Sequence, residues 1–100
     1  MNKLVIAAAI LVAGASGAFA GVIESACLHT DRKAVSRQLC GCIQEAADLT
    51  LDRSDQKIAA SFFKDPHKAQ ETRQSNRRSD EAFWQRYQQF GSTAEAFCKL

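Results

Sequence analysis

The sequence predicts an all-α protein, in which a small bundle of three to five short helices is stapled by two disulfides after a cleaved signal peptide. Three observations support this prediction. Apolar side chains recur every three or four residues in several stretches after residue 20, which is the spacing of one helix face. All four cysteines lie in the same part of the chain, and an even number of cysteines in a small exported protein is typical of a disulfide framework. The first twenty residues have the organisation of a secretory signal.

Residues 1–20 are expected to be a signal peptide. Lys3 supplies a positively charged start, an apolar run follows over residues 4–15, and Ala18-Phe19-Ala20 matches the A-x-A cleavage pattern. The apolar run is shorter than the roughly 20 residues that a membrane-spanning helix needs. We therefore expect the mature protein to begin at Gly21 and to be periplasmic or secreted.

The mature chain, residues 21–100, is expected to be a single, nearly neutral domain. Of 13 Lys and Arg residues, Lys3 leaves with the signal, so 12 remain against 11 Asp and Glu. This balance gives no long-range attraction to nucleic acid or to an anionic membrane, so neither is an expected partner. A chain of this size buries only about two-thirds or less of its unfolded surface, which makes cross-links valuable.

The Cys40-Gly41-Cys42 motif lies within a central helix predicted over about residues 33–51. On that helix Cys40 and Cys42 are about 200° apart. Because a disulfide needs Cβ atoms about 3.8 Å apart, the two are not expected to bond each other. Cys27 and Cys98 are left to pair with them, in either of two orders.

Helical spacing gives the expected buried face of this central helix, which is made of Val35, Leu39, Ile43 and Ala46, with Leu49 close by. Thr30 or Asp31 is its expected N-cap. Residues 22–28 are too short to form a stable helix alone, so we expect one or two helical turns that Cys27 ties down.

Two further helices are expected after residue 51. Residues 52–55 offer cap residues for the first of them, and Asp65-Pro66 ends it and suits the N-cap and N1 positions of the second. The second should be short and exposed and should end near Arg73. The core face of the first carries two pairs spaced four apart, Ile58 with Phe62 and Ala59 with Phe63.

The last helix is expected after a turn over residues 74–79, with residues 79–81 as its cap. The apolar stripe keeps its phase across Gly91, which favours one bent helix, whereas residues 92–95 resemble a capping box that would begin a second helix. The expected core residues of this element are Phe83, Tyr87, Phe90, Ala94 and Phe97.

The candidate partner-binding residues are a basic cluster in the expected turn, Arg73, Arg77 and Arg78, together with Trp84 at the edge of the last stripe. The cluster is either a solvated loop or a contact for an anion, and scattered surface arginines favour the solvated loop. Trp84 either covers the core or anchors a partner, and we prefer the core because small domains bury their large aromatic residues.

No catalytic residue, cofactor or metal ion is expected. The chain has no G-x-S-x-G motif, and it has neither the C-x-x-C nor the H-x₃-H spacing of common zinc sites. A thiol-disulfide enzyme using Cys40 and Cys42 is the one enzymatic alternative. The middle of a helix lacks the N-terminal electrostatics that activate a thiol, which favours structural bridges.

Three strings, LCGCIQ, DQKIAASFFKDPHKAQETRQS and FWQRYQQF, together with Cys98, resemble a family of short exported alphaproteobacterial proteins. Some members of that family carry the automatic label "arginine transporter". The resemblance brings no fold, activity or functional residues, and a chain of this length is too short for a two-lobed solute-binding protein, so the label implies at most an accessory role. We expect a non-enzymatic binding or interaction protein whose partner is a protein or small ligand of the periplasm.

Overall fold

The computed structural model describes residues 21–30 and 35–98. This part of the chain forms five helices and no strand, so the all-α prediction is confirmed. None of these helices is long and apolar enough to cross a membrane. The expected signal peptide, residues 1–20, lies outside the described residues, as does the candidate N-cap Asp31. In chain order the helices are α1 (Val22–Leu28), α2 (Arg37–Thr50), α3 (Arg53–Lys64), α4 (Pro66–Gln74) and α5 (Arg78–Phe97).

The central helix α2 begins later than its apolar pattern predicts. Ser36 is the N-cap, and its hydroxyl accepts a hydrogen bond from the Leu39 backbone N–H at 3.0 Å. Val35 therefore precedes the helix and does not belong to its buried face. The expectation that Thr30 caps α2 is also wrong, because the Thr30 hydroxyl donates to the Cys27 carbonyl oxygen at 2.8 Å and closes the end of α1.

The two aspartate caps are confirmed. The Asp52 carboxylate accepts from the Asp55 backbone N–H at 2.8 Å, and the Asp65 carboxylate accepts from the His67 backbone N–H at 3.1 Å. Pro66 follows as the first residue of α4, where its missing N–H would have had no partner in any case.

The start of α5 differs from its prediction. Arg77 is the N-cap and provides no side-chain hydrogen bond, whereas Asp80 and Glu81 lie inside the first turn, where carboxylates favour the helix dipole. Gly91 lies within the continuous helix, so the single-helix interpretation is confirmed and residues 92–95 begin no new element.

The core lies where α1, α2, α3 and α5 meet. Phe62 contacts both Phe83 and Tyr87 edge to face, with ring centroids 6.0 Å and 5.2 Å apart. Trp84 and Tyr87 are partly buried and pack against the same cluster. The buried members of the core are Ile23, Ala46, Ala47, Leu51, Ala59, Phe62, Phe83 and Phe90.

Three apolar residues that were expected at or near core faces are exposed. Phe97 is 70% exposed, although it is the last residue of α5 and precedes Cys98, which bonds α2. Ile58 is 42% exposed because α3 turns Ala59 and Phe62 inward. Leu49 is 74% exposed, since the buried face of α2 is rotated toward Cys40 and Gln44.

Two disulfides fasten α1 and the end of α5 to the first half of α2. Cys27 bonds Cys40 and Cys42 bonds Cys98, with Cα atoms 5.6 Å and 5.8 Å apart, and no cysteine is free. The divergence of the two helix cysteines is therefore confirmed, and of the two pairing orders left open by the sequence, this one occurs. The first bridge ties α1 to α2, and the second ties the end of α5 to the same turn.

Candidate binding site

A groove of about 560 Å³ lies on the surface where α1 and α3 pack against each other. We call it the α1–α3 groove. One wall belongs to α1 and its two flanking residues, and is formed by Gly21, Val22, Ser25, Ala26 and His29. The other wall belongs to α3 and is formed by Lys57, Ala60, Ser61 and Lys64. We call the apolar and small residues of both walls the floor, in which Ala26 is buried, and the two exposed lysines its edge.

The lysines share one face of α3 because they are seven residues apart, which is close to two helical turns. The helical rise places their backbone positions about 10 Å apart. Arg53, four residues before Lys57, continues this row and lines a neighbouring cavity. The sequence therefore builds a line of three cations along the face of α3 that borders α1.

Among the residues that the structure describes, no acidic side chain lines the α1–α3 groove. The ion pairs formed among the described residues are Arg86 with Asp55 and Arg77 with Asp80, and neither involves Lys57 or Lys64. Glu24 belongs to α1, but its carboxylate lies toward α2, with Oε2 3.8 Å from where a Cβ on Gly41 would be. The groove therefore combines an apolar floor with uncompensated positive charge.

His29 lies at the end of α1 and completes the rim. Its Nδ1 is 2.7 Å from the Ser25 carbonyl oxygen. Because a carbonyl only accepts, Nδ1 carries the proton and Nε2 is left for other partners. The Nε2 atom of His29 thus remains available to a partner at the rim.

The position of α1 depends on a buried glutamine of α2. Gln44 is 8% exposed, and its Oε1 accepts from the backbone N–H groups of Ile23 and Glu24, both at 2.9 Å. Its Nε2 donates to Asp48 at 2.9 Å and to Gln56 at 2.8 Å. The two bonds that Oε1 accepts satisfy two of the amides that a helix N-terminus leaves unpaired. Gln44 thereby replaces the N-cap side chain that Gly21 lacks.

Gly21 is required by this close approach. A Cβ at residue 21 would lie 2.0 Å from both Cδ and Oε1 of Gln44, which is far inside van der Waals contact. Its backbone angles, φ −68° and ψ 153°, suit any residue, so the constraint comes from space and not from conformation. Gly21, Val22 and Lys57 also border the second cavity, of about 570 Å³, where Gln44, Asp48, Arg53 and Gln56 provide polar walls.

A second polar contact fixes α3 against α5. The Arg86 guanidinium donates to both carboxylate oxygens of Asp55, at 2.6 Å and 3.0 Å. The Asp55 side chain is only 5% exposed, whereas that of Arg86 is 45% exposed, so the charge of the pair reaches solvent on one side. The hydrogen bond that Arg86 donates to Asp55 raises the pKa of Arg86 above its ordinary value. This contact holds the opposite wall of the groove in place.

The sequence-predicted binding residues lie elsewhere. Arg73, Arg77 and Arg78 are exposed around the α4–α5 connection, and Arg77 pairs weakly with Asp80 at 3.7 Å. Trp84 packs on Tyr87, with ring centroids 5.0 Å apart, and covers the core as preferred. None of these four residues lines the α1–α3 groove. Their part in binding a partner stays a prediction.

Sequence reasoning missed the groove and the polar contacts that shape it. Gln44 did carry a signal, because it lies between Cys40 and Ala47 on the buried side of α2, where a polar residue needs partners. The spacing of Lys57 and Lys64 was visible too, but which element they border depends on the packing of α1. No pattern of neighbouring residues predicts the pairing of Asp55 with Arg86, because the two lie 31 residues apart.

The chemistry of the site rests on its own geometry. Comparisons of the chain with models of protein families, with curated proteins and with solved structures found no match. Within residues 21–30 and 35–98, no three histidine, cysteine or acidic side chains come close enough to hold a metal ion. What the arrangement offers is a surface that can bind an anionic and partly apolar partner.

Proposed function

We propose that the protein is a small exported, non-enzymatic binding protein that holds its partner in the α1–α3 groove. One observation carries the proposal: the groove has an apolar floor, two lysines along its edge and no acidic residue among the described residues of its lining. An exposed apolar surface with uncompensated charge is stabilised by a partner that covers both. The two disulfides hold the surrounding helices, so the surface is largely formed before binding.

Two observations support export: the pairing of the cysteines and the residue at which the first helix is capped. Disulfides form and persist in oxidising compartments, and all four cysteines of this chain are paired. Gly21, the expected first residue of the mature protein, is also the N-cap of α1. Gln44 accepts from the second and third amides of α1, so α2 holds the start of this helix. We place the protein in the periplasm or outside the cell.

A binding role is preferred over thiol-disulfide catalysis because of where the sulfur atoms lie. Cys27 and Cys40 are 3% and 0% exposed, so their bridge is closed to a large dithiol substrate. Cys42 is bonded to the end of α5 and has no resolving thiol beside it. Redox catalysis uses an accessible bridge whose two thiols can resolve each other, and the buried Cys27–Cys40 bridge does not suit it.

The proposal is tested by affinity capture from periplasmic extract with the oxidised mature protein, followed by reconstitution with the purified partner. Two double charge reversals provide matched variants, Lys57→Glu/Lys64→Glu in the groove and Arg77→Glu/Arg78→Glu at the α4–α5 connection. We expect the wild-type protein and the second variant to bind the same partner and the first variant to lose it. Loss through the arginine variant alone would move the site to the sequence-predicted cluster. Failure of all three to bind any partner would overturn the binding role.

A further inference from the structure

We infer that the ligand of the α1–α3 groove is an acidic amphipathic helix of a protein partner, an inference that rests on the proposed function. A ligand that fills this groove must have three properties. It must present an apolar side to the floor, several negative charges to the lysine edge, and a shape that lies along the direction of α3. A helix with apolar residues on one face and carboxylates beside them has all three.

The spacing of the cations indicates more than one anionic group. Lys57 and Lys64 are separated by about 10 Å along α3, and Arg53 extends the row to about 16 Å. A single carboxylate reaches one of these side chains. A helix lying alongside α3 repeats its own side chains with the same rise, so glutamates seven residues apart meet both lysines at once.

The floor suits a helix that approaches closely. It is formed by Ala26, Ala60 and Val22, together with the small polar residues Ser25 and Ser61. Val22 is 41% exposed and is the largest apolar side chain on the floor. The distance between packed helices depends on the side chains at their contact, so these small residues allow an incoming helix to lie close to α1 and α3. A Leu or Val of the incoming helix would cover Val22 and remove it from water.

Other anionic ligands fit less well. An anionic bilayer is flat and does not reach the floor of a groove between two helices, and the mature chain, with 12 cations (13 minus Lys3) against 11 anions, is not drawn to it over distance. Single-stranded nucleic acid binds through stacked aromatic side chains, and no Phe, Tyr or Trp is among the described residues that line this groove. A protein helix satisfies the charges and the apolar floor together.

The test uses the purified, oxidised protein and a labelled synthetic helix of about five turns, with Leu on one face and Glu flanking it at spacings of four and seven. A peptide of identical composition in scrambled order is its control. Fluorescence anisotropy should show binding of the periodic peptide at least about tenfold tighter than the scrambled one, because only the periodic peptide places both groups together. Lys57→Glu/Lys64→Glu should weaken it about tenfold or more, and Arg77→Glu/Arg78→Glu by less than about twofold.

A charge-exchanged peptide, with Lys in place of Glu, keeps the test informative if the groove variant binds nothing. It should bind Lys57→Glu/Lys64→Glu more tightly than the wild-type protein, which an unfolded variant would not do. Equal affinity for periodic and scrambled peptides, or equal loss through both charge reversals, would overturn the inference. So would binding to phosphatidylglycerol vesicles without binding to the peptide. If the peptide fails while a captured partner is still lost through the groove variant, the proposed function stands and only the helical ligand is wrong.

Discussion

Replacing Gly21 by alanine should destabilise the protein through Gln44 and not through the backbone. The new Cβ would lie 2.0 Å from Cδ of Gln44 and would force the amide away from the start of α1. The Ile23 and Glu24 amides would then lose their acceptor. A net hydrogen bond is worth about 1 kcal/mol and an unsatisfied buried donor costs about 1–3, so we expect Gly21→Ala to cost about 1–3 kcal/mol.

The same residues give a thermodynamic cycle that isolates the contact. Gln44→Ala removes the bonds to both amides and to Asp48 and Gln56, and should cost about 2–4 kcal/mol. In that background the clash is gone. Gly21→Ala should then change stability by less than about 0.5 kcal/mol, because the lower entropy of the unfolded alanine chain opposes the poor N-cap preference of alanine.

Urea titration of the oxidised proteins measures the cycle, and an unchanged m-value shows that the unfolding transition is comparable in all four. The predicted result is a strong coupling of about 1–3 kcal/mol between the two substitutions. Equal effects of Gly21→Ala in both backgrounds would refute the contact. So would a gain of about 0.4–1 kcal/mol in the wild-type protein, which is the usual result of a Gly-to-Ala change at compatible backbone angles.

Three further outcomes are expected from side chains away from this contact. Phe83→Ala should cost about 3–5 kcal/mol in urea titration, since Phe83 is 3% exposed, whereas Arg77→Ala should stay within about 0.5. Phe97→Ala should also change the free energy of unfolding by less than about 0.5 kcal/mol, because Phe97 is exposed. A loss as large as that of Phe83→Ala would mean that Phe97 belongs to the core, as the apolar stripe predicts. The hydrogen bond from the Asp55 amide lowers the pKa of the Asp52 carboxyl below its ordinary 3.8, so its stabilising effect is present above that pH and is lost as pH falls further. Asp52→Asn keeps the cap acceptor and should therefore flatten the acid limb of a stability-versus-pH curve, and an unchanged limb would contradict this assignment.

Local chemistry made most of the helices predictable. Asp52 and Asp65-Pro66 specify helix starts through side chains that lie next to the amides they serve, and the spacing of Phe83 and Phe90 specifies a helix face. The divergence of Cys40 and Cys42 follows from the angle between successive residues of a helix. Each of these inferences needs only neighbours in the sequence.

Features that depend on packing could not be predicted in the same way. Ser36 competes with Thr30 as a cap, and the choice is made when Thr30 turns back to the Cys27 carbonyl. The rotation of α2 that exposes Leu49 is set by the bridge to α1 and by Gln44, which accepts from amides 20 and 21 residues away. The α1–α3 groove exists only because these long-range contacts place α1 beside α3.

Cysteine pairing in the native, oxidised protein decides whether the two cysteines of the central helix are structural. Non-reducing proteolysis with mass spectrometry, together with a thiol count in denaturant, measures it directly. We predict bridges between Cys27 and Cys40 and between Cys42 and Cys98, with no free thiol. A Cys40 to Cys42 bridge, or two free thiols on α2, would contradict a stapled binding protein and favour thiol-disulfide chemistry instead.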